Sequence, residues 1–113
     1  MIKALLVTAL VAAVAALMFA VTASAKSAGL TGEVGPGFTI TLSAKTVKAG
    51  TYKIVIADKS NIHNFHLTGP GVNKKTSVAA LGTTTWTVKL TKGTYKYVCD
   101  PHVSIMKGVL KVT

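Results

Sequence analysis

The residues best suited to metal chemistry lie close together near the C-terminal end of the chain. Cys99 is the only cysteine, and His102 and Met106 follow it at the spacing C-x2-H-x3-M. Met106 is also the only methionine beyond the N-terminal segment. Thiolate and thioether ligands select Cu(I), and imidazole binds copper in either oxidation state. This stretch therefore predicts a copper site.

The cysteine needs an explanation of its own, because a single cysteine cannot form an intramolecular disulfide. In an exported protein an unpaired cysteine indicates an intermolecular bridge, a reactive thiol or a metal ligand. Tyr95, Tyr97 and Cys99 share one face of an alternating segment, so we expect the thiol to point into the interior. A buried thiol beside a metal ion is deprotonated. The neighbouring His102 and Met106 favour the metal.

A mononuclear copper site of this kind needs a second imidazole, and the remaining histidines are His63 and His66. They are three residues apart, so in a strand they would point to opposite faces. His63 shares its parity with the apolar Phe65 and Leu67 and stands at the start of the segment. We therefore expect His63 to be the ligand and His66 to lie on the surface. Without the Cys-His-Met stretch, His63 would be interpreted as a core or capping histidine.

The scaffold around these residues is predicted to consist of short strands separated by glycine-rich turns. No helical period appears beyond the N-terminal segment. Seven segments have the composition or alternation of strands, namely 30–34, 38–42, 52–57, 64–68, 85–90, 95–99 and 108–112. Residues 72–81 are polar and give no assignment. The pattern favours an all-β fold, specifically a Greek-key antiparallel β-sandwich.

Residues 1–25 have the features of a secretory signal peptide. Lys3 supplies a positive charge, an apolar run follows, and Ala23-Ser24-Ala25 is a small-residue cleavage site. The alternative is an uncleaved membrane anchor, because the run approaches the roughly 20 residues of a spanning helix. Cleavage is favoured because no basic cluster follows the run directly. In either case we expect residues 26–113 to form one domain in the periplasm or at the cell surface.

Charge is unevenly distributed, because all thirteen basic residues are lysines and only three residues are acidic. Nucleic-acid binding is disfavoured, since bidentate recognition of phosphates and bases uses arginine. The lysines fit an acidic protein partner, or an anionic membrane or cell-wall surface. They fit equally well a role in solubility and in protecting sheet edges from unwanted pairing.

Two motifs resemble those of the cupredoxin family, the small blue (type 1) copper proteins of the plastocyanin/azurin group. One is His63-Asn64 at the opening of a predicted strand. The other is Tyr97-Val98-Cys99-Asp100-Pro101-His102, followed by Met106. The strand pattern from residue 38 onward agrees with the family's fold. Asp100, beside the thiolate, either bonds backbone amides and stiffens the loop or lowers the reduction potential.

The resemblance implies a trigonal copper site of His63, Cys99 and His102, with Met106 as a weak axial ligand. It implies that Asn64 braces the ligand loop by hydrogen bonds, an outer contact of the kind that orients metal ligands. It also implies a monomer, and an electron path through His102 and a surrounding apolar patch. The candidates for that patch are Pro70, Val72, Pro101 and Val103.

The sequence therefore predicts a carrier of single electrons between redox partners, and not an enzyme. The alternative with the same residues is copper sequestration or delivery outside the cytoplasm. A binuclear copper centre would need two cysteines, and this chain has one. Structural zinc usually takes four Cys or His ligands, and methionine is a poor fourth. A metal-free adhesion module would leave the clustering of ligand types unexplained.

Overall fold

The computed structural model describes residues 27–113, so the predicted signal peptide lies outside the described residues. Within that range the chain forms nine strands and one 3-10 helix. The strands are β1 (Ala28–Val34), β2 (Ile40–Leu42), β3 (Thr46–Val47), β4 (Gly50–Asp58), β5 (His66–Gly69), β6 (Val72–Lys75), β7 (Gly82–Leu90), β8 (Gly93–Val98) and β9 (Lys107–Val112). The 3-10 helix is η1 (Asp100–His102). Among the described residues, no helix has the length and hydropathy needed to span a membrane.

Two sheets make up the fold, in the strand orders β2-β1-β4-β7 and β3-β9-β8-β5-β6. The all-β prediction is confirmed, but the sheets are mixed rather than wholly antiparallel. β1 runs parallel to β4 along seven residue pairs, and β3 runs parallel to β9. Alternation of apolar and polar residues shows which face of a strand is buried and carries no information on pairing direction. The predicted direction was wrong for these two pairs for that reason.

The core lies where the inward faces of the two sheets meet. Inward residues on β4 and β8 are buried, and their neighbours along each strand are exposed or half-buried. Phe65 and Tyr97 stack with ring centroids 5.4 Å apart and planes 8° from parallel. Any side chain at Gly108 would overlap the Tyr97 ring, so a close approach of backbone to ring requires glycine there. Tyr97 is thereby held firmly two residues before Cys99.

Several strand boundaries differ from the prediction because residues expected to pair within a sheet lie in loops. The segment predicted to begin at residue 64 begins at His66, and the unassigned stretch after Gly71 contains β6. The two-residue β3 was not predicted. Phe38 was expected within a half-buried strand, but it lies in the turn before β2 and is 57% exposed. Gly35 makes that turn, with a φ of 73° and a hydrogen bond from its N–H to the Thr39 carbonyl.

Strand register brings the predicted ligands together at one end of the sandwich. β5 begins at His66 opposite Val98, the last residue of β8. The residues just before β5 and just after β8 therefore share that end. Pro70 lies at the opposite end, where its carbonyl accepts a hydrogen bond from the Tyr95 hydroxyl. The expectation that Pro70 and its strand neighbour Val72 surround His102 is therefore wrong.

Candidate metal centre

Three side-chain atoms able to bind a metal ion converge at this end of the sandwich. The Sγ atom of Cys99 lies 3.6 Å from the Nδ1 atom of His63 and 3.6 Å from that of His102. The two Nδ1 atoms are 3.1 Å apart. A triangle with two sides of 3.6 Å and one of 3.1 Å has a centre about 2 Å from each corner, which is the length of a metal–imidazole bond. Among the described residues, these three form the group of His, Cys or acidic side chains suited to a metal ion.

The loop after β8 places two of these atoms through its own backbone bonds. The His102 N–H donates to the Cys99 carbonyl at 3.0 Å, which closes the 3-10 turn. The Met106 N–H donates to the His102 carbonyl at 2.8 Å, and the Cys99 N–H donates to the Met106 carbonyl at 3.0 Å. Pro101 sits early in the turn, where its fixed φ suits a helical start. The backbone thus returns to Cys99 and encloses its side chain.

Burial differs among the four predicted site residues. His63 and Cys99 are fully buried, and Met106 is 1% exposed. His102 is only half-buried, so its ring lies at the boundary with solvent. His63 is buried as expected, but residues 63–65 precede β5 and are all buried, so strand parity does not place it. Water has little access to the sulfur of Cys99, and His102 is the member of the cluster that reaches the surface.

Comparison with known proteins agrees with this geometry. The family described as copper binding proteins, plastocyanin/azurin family, matches residues 26–113. The chain belongs to this family. A search among curated proteins gave no match.

Solved structures of rusticyanin share this cupredoxin's fold. The copper protein rusticyanin is 23% identical, with a TM-score of 0.61 over 80% of this chain and 80% of that chain. Reduced rusticyanin is 23% identical, with a TM-score of 0.59 over 80% of this chain and 81% of that chain. Rusticyanin from Thiobacillus ferrooxidans is 24% identical, with a TM-score of 0.57 over 80% of this chain and 79% of that chain. At this level of identity the likeness establishes the fold.

Asn64 ties the two halves of the cupredoxin site together. Its Oδ1 atom accepts a hydrogen bond from the Asp100 N–H at 2.8 Å, and its Nδ2 group donates to the Asp100 carboxylate at 2.8 Å. A longer bond of 3.3 Å runs from the same Nδ2 to the Thr76 carbonyl. Asn64 is 2% exposed, so these bonds are shielded from water on its side. The segment of His63 and the segment of Cys99 are thus joined by one buried amide.

Asp100 holds a second partner that the sequence did not indicate. The Nδ1 atom of His66 lies 2.8 Å from the Asp100 carboxylate, and its Nε2 atom lies 2.7 Å from the Asn73 side-chain oxygen. An imidazole facing two acceptors donates to both only when it is protonated. His66 was expected on the surface, and it is half-buried with its ring bonded to Asp100. Of the two roles considered for Asp100, bonding to backbone amides is not the one observed for its carboxylate, which bonds the side chains of Asn64 and His66.

Both members of this pair have shifted pKa values. Burial lowers the pKa of His66, but its hydrogen bonds to Asp100 and Asn73 and the attraction of Asp100 outweigh that effect, so the pKa is raised above 6.5. Burial raises the pKa of Asp100, but bonds from Asn64 and His66 and the charges of His66 and Lys75 bring it below 3.8. The carboxylate beside Cys99 is therefore ionised across the physiological range.

Phe38 covers the two imidazoles from outside. Its ring centroid lies 5.3 Å from that of His63 and 5.0 Å from that of His102, in edge-on geometry in both cases. Val103 and Ile105, in the loop that carries His102, are also exposed. These residues provide apolar surface near His102, in place of the Pro70 and Val72 expected from sequence. Phe38 could not be assigned here from its pattern, because a turn and not a strand positions it.

One buried acid of the described residues acts on His63 through its charge. Asp58 is 6% exposed. Its Oδ2 atom and the Nε2 atom of His63 are both buried with no hydrogen-bond partner among the described residues. The other carboxylate oxygen of Asp58 accepts a bond from the Ser60 N–H at 3.0 Å. Burial raises the pKa of Asp58 above 3.8, against the opposing effects of the Ser60 bond and the charge of His63.

Proposed function

We propose that this cupredoxin carries single electrons through one type 1 copper ion held by His63, Cys99 and His102, with Met106 as an axial ligand. The observation that carries the proposal is the triangle of Sγ and two Nδ1 atoms with its centre at metal-bonding distance. The donor set of thiolate, imidazoles and thioether suits copper better than zinc. When bound, copper supplies a one-electron couple between Cu(I) and Cu(II).

The chain's own residues keep the site in one arrangement. Cys99 and Met106 are joined by a backbone hydrogen bond, and Asn64 joins the loop to the segment of His63. Because each proposed ligand lies in a hydrogen-bonded loop beside a strand, the ligand atoms need little movement when the charge of the site changes. Burial excludes water from the thiolate side. Small reorganisation and a dry site favour fast electron exchange over binding and release of the metal.

Function as a carrier also requires access for partners, and His102 is the proposed exit for the electron. It is half-buried, and Phe38, Val103 and Ile105 expose apolar side chains around or beside it. We further propose that the protein is exported, acts as a monomer, performs no catalysis of its own and meets redox partners with acidic surfaces. The net charge of +10 supports the last point.

The test is a visible absorption spectrum of the purified protein after addition of one equivalent of Cu(II). We expect an intense blue band from the thiolate, which a mild reductant bleaches and an oxidant restores over repeated cycles. Cys99→Ser is the control: it keeps the fold and a weaker oxygen ligand but removes the thiolate. A protein that stays blue after this substitution would disprove the assignment of Cys99.

Sequestration or delivery of copper uses the same ligands and predicts a different result. A storage protein would bind Cu(I) tightly, but oxidation would release the metal or proceed without a reversible blue band. A carrier retains one equivalent of copper in both oxidation states. Metal analysis after gel filtration of each oxidation state therefore decides between the two functions.

A further inference from the structure

The outer face of the five-stranded sheet presents lysines and valines next to the copper loop. We call the set formed by Lys96, Val98, Lys107, Val109 and Lys111 the lysine–valine face. Lys96 pairs with Val109 across β8 and β9, and Val98 pairs with Lys107. Paired residues point to the same side of a sheet, so lysine and valine alternate in both directions. Diagonal neighbours in such a pattern are about 7–8 Å apart.

The surface at this position is concave and apolar at its base. A groove of about 510 Å³ is lined by Lys96, Val98, Val103, Lys107, Gly108 and Val109. Val103 is 53% exposed and Val109 is 51% exposed, so their side chains are open to a partner. Gly108 lines the groove with its backbone, since a side chain there would point inward at the Tyr97 ring. The groove can therefore receive one projecting apolar side chain between flanking ammonium groups.

The positive charge of this face is not cancelled by the acids of the described chain. Glu33 lies on the other sheet and pairs with Lys59 at 3.1 Å. Asp58 is buried. Asp100 lies near one end of the face, but its carboxylate is already bonded to Asn64 and His66. Lys96, Lys107 and Lys111 remain available to an external anion.

Protection of sheet edges does not explain Lys96 and Lys111. β8 is the central strand of its sheet, and Lys96 has a paired residue on each side, Thr68 and Val109. Lys111 is likewise flanked by Thr46 and Thr94. Lysines that block unwanted pairing belong on edge strands. The roles left for these two charges are solubility of the exposed face and contact with a partner.

We infer that the lysine–valine face docks an acidic redox protein, whose carboxylates surround one apolar side chain inserted into the groove. This inference rests on the proposed function and adds a docking surface on β8 and β9 that shares Val103 with the apolar surface beside His102. Val98 lines the groove and is covalently joined to Cys99, so a partner bound here is one residue from the thiolate. Complementary charge speeds encounter and sets orientation more than it raises affinity.

The alternative occupant, an anionic lipid surface, fits the structure less well. A flat membrane contacts projecting side chains, but the apolar groups here lie at the base of a groove. The face also lacks an exposed aromatic residue, since its apolar members are valines. The groove therefore favours a partner with a shaped surface of its own, and the lipid surface becomes an outcome of the test.

The test uses the reduced, copper-loaded protein and a synthetic probe, a peptide of four glutamates around one leucine that carries a ruthenium tris(bipyridyl) label. A laser flash with persulfate as electron acceptor forms Ru(III) on the peptide. Ru(III) takes one electron from the reduced protein, and the rise of the blue band gives the second-order rate constant. A peptide with glutamine in place of glutamate is the control probe, which keeps the charge of the label but lacks the carboxylates.

Two double variants with equal loss of charge are compared. Lys96→Gln with Lys107→Gln alters the lysine–valine face, and Lys53→Gln with Lys89→Gln alters the outer face of the other sheet. We expect the first pair to lower the rate with the acidic peptide about tenfold at low ionic strength, within the range of electrostatic steering. The second pair should change it less than twofold. Both should leave the blue band and the reduction potential unchanged.

Binding is mapped separately by amide chemical-shift changes on adding the unlabelled acidic peptide to the reduced protein. Changes confined to β8, β9 and Val103 support the inference. They would do so even if copper did not cycle, and this separates the inference from the proposed function. Changes centred on Phe38 and His102 would overturn it. So would equal rate losses in the two double variants, or binding to phosphatidylglycerol vesicles with no binding of the peptide.

Discussion

Replacement of Asn64 by alanine tests whether one buried amide holds the two halves of the copper site together. The substitution removes two hydrogen bonds of 2.8 Å to Asp100 and one of 3.3 Å to the Thr76 carbonyl. A neutral bond contributes about 1 kcal/mol, and a bond to a charged group contributes about 1.5–3 kcal/mol. The carboxylate is 42% exposed, so we use the lower end of that range. The expected loss of unfolding free energy is about 3 kcal/mol.

The assay is urea unfolding of the metal-free protein at pH 7 with reductant, followed by the fluorescence of Trp86, the only tryptophan. A loss of that size is a large fraction of the roughly 5–10 kcal/mol expected for a domain of this length. Asn73→Ala is the matched control, because Asn73 is exposed and accepts one bond from His66. Its expected effect is below about 1 kcal/mol.

Copper binding provides an independent measurement on the same variants. Removal of an outer contact that orients metal ligands typically lowers metal affinity about 10–100-fold. We expect a loss in that range for Asn64→Ala and a much smaller one for Asn73→Ala. Two results together would contradict this role of Asn64. One is a loss of unfolding free energy below about 1 kcal/mol, the contribution of a single neutral hydrogen bond; the other is copper binding as tight as that of Asn73→Ala. The position of the loop would then be set by its own backbone hydrogen bonds.

Three further predictions concern the titratable residues. His63→Ala should lower copper affinity far more than His66→Ala, measured by chelator competition; equal losses would remove His63 from the ligand set. Because the pKa of His66 is raised, the protonated ring stabilises the folded protein. This contribution to the free energy of unfolding should be complete below pH 6.5 and should be lost as the pH rises through the folded-state pKa. Urea titrations of wild type and His66→Gln across pH should therefore converge on the alkaline side, and a constant difference would contradict the shift. Because the pKa of Asp58 is raised, its ionisation opposes folding. Asp58→Asn should therefore be at least as stable as wild type at pH 7 and should lose that advantage towards pH 4. A variant that is less stable than wild type at pH 7 would show that the charge is needed.

Much of the candidate site could be predicted from local sequence, because its signals are local. The spacing of Cys99, His102 and Met106 places them in one short loop, whatever the rest of the fold. Alternation along Tyr95 and Tyr97 correctly predicted that Cys99 is buried, since a period of two residues sets which side of a strand faces the core. His63 is buried as well, but strand parity is not the reason. Residues 63–65 precede β5, and Asn64 is buried between His63 and Phe65.

Contacts between segments distant in sequence could not be predicted in this way. The bonds from Asn64 and His66 to Asp100 span 36 and 34 residues and depend on the register between β5 and β8. A shift of that register by one residue would turn His66 to the other face and break the pair. The cover that Phe38 gives the imidazoles depends on a turn in a third segment.

The sequence by itself determined the types of the proposed ligands, the burial of Cys99 and the presence of a β-sandwich, since residue chemistry and alternation are properties of the chain. Only the tertiary structure decided which strands pair, that β1 and β4 run parallel, and that Lys96 and Val98 lie beside Val109 and Lys107 of β9. The physical reason is that the alternation within one strand sets which of its residues are buried. The partner of a strand, its direction of pairing and its register depend on how all the strands pack together.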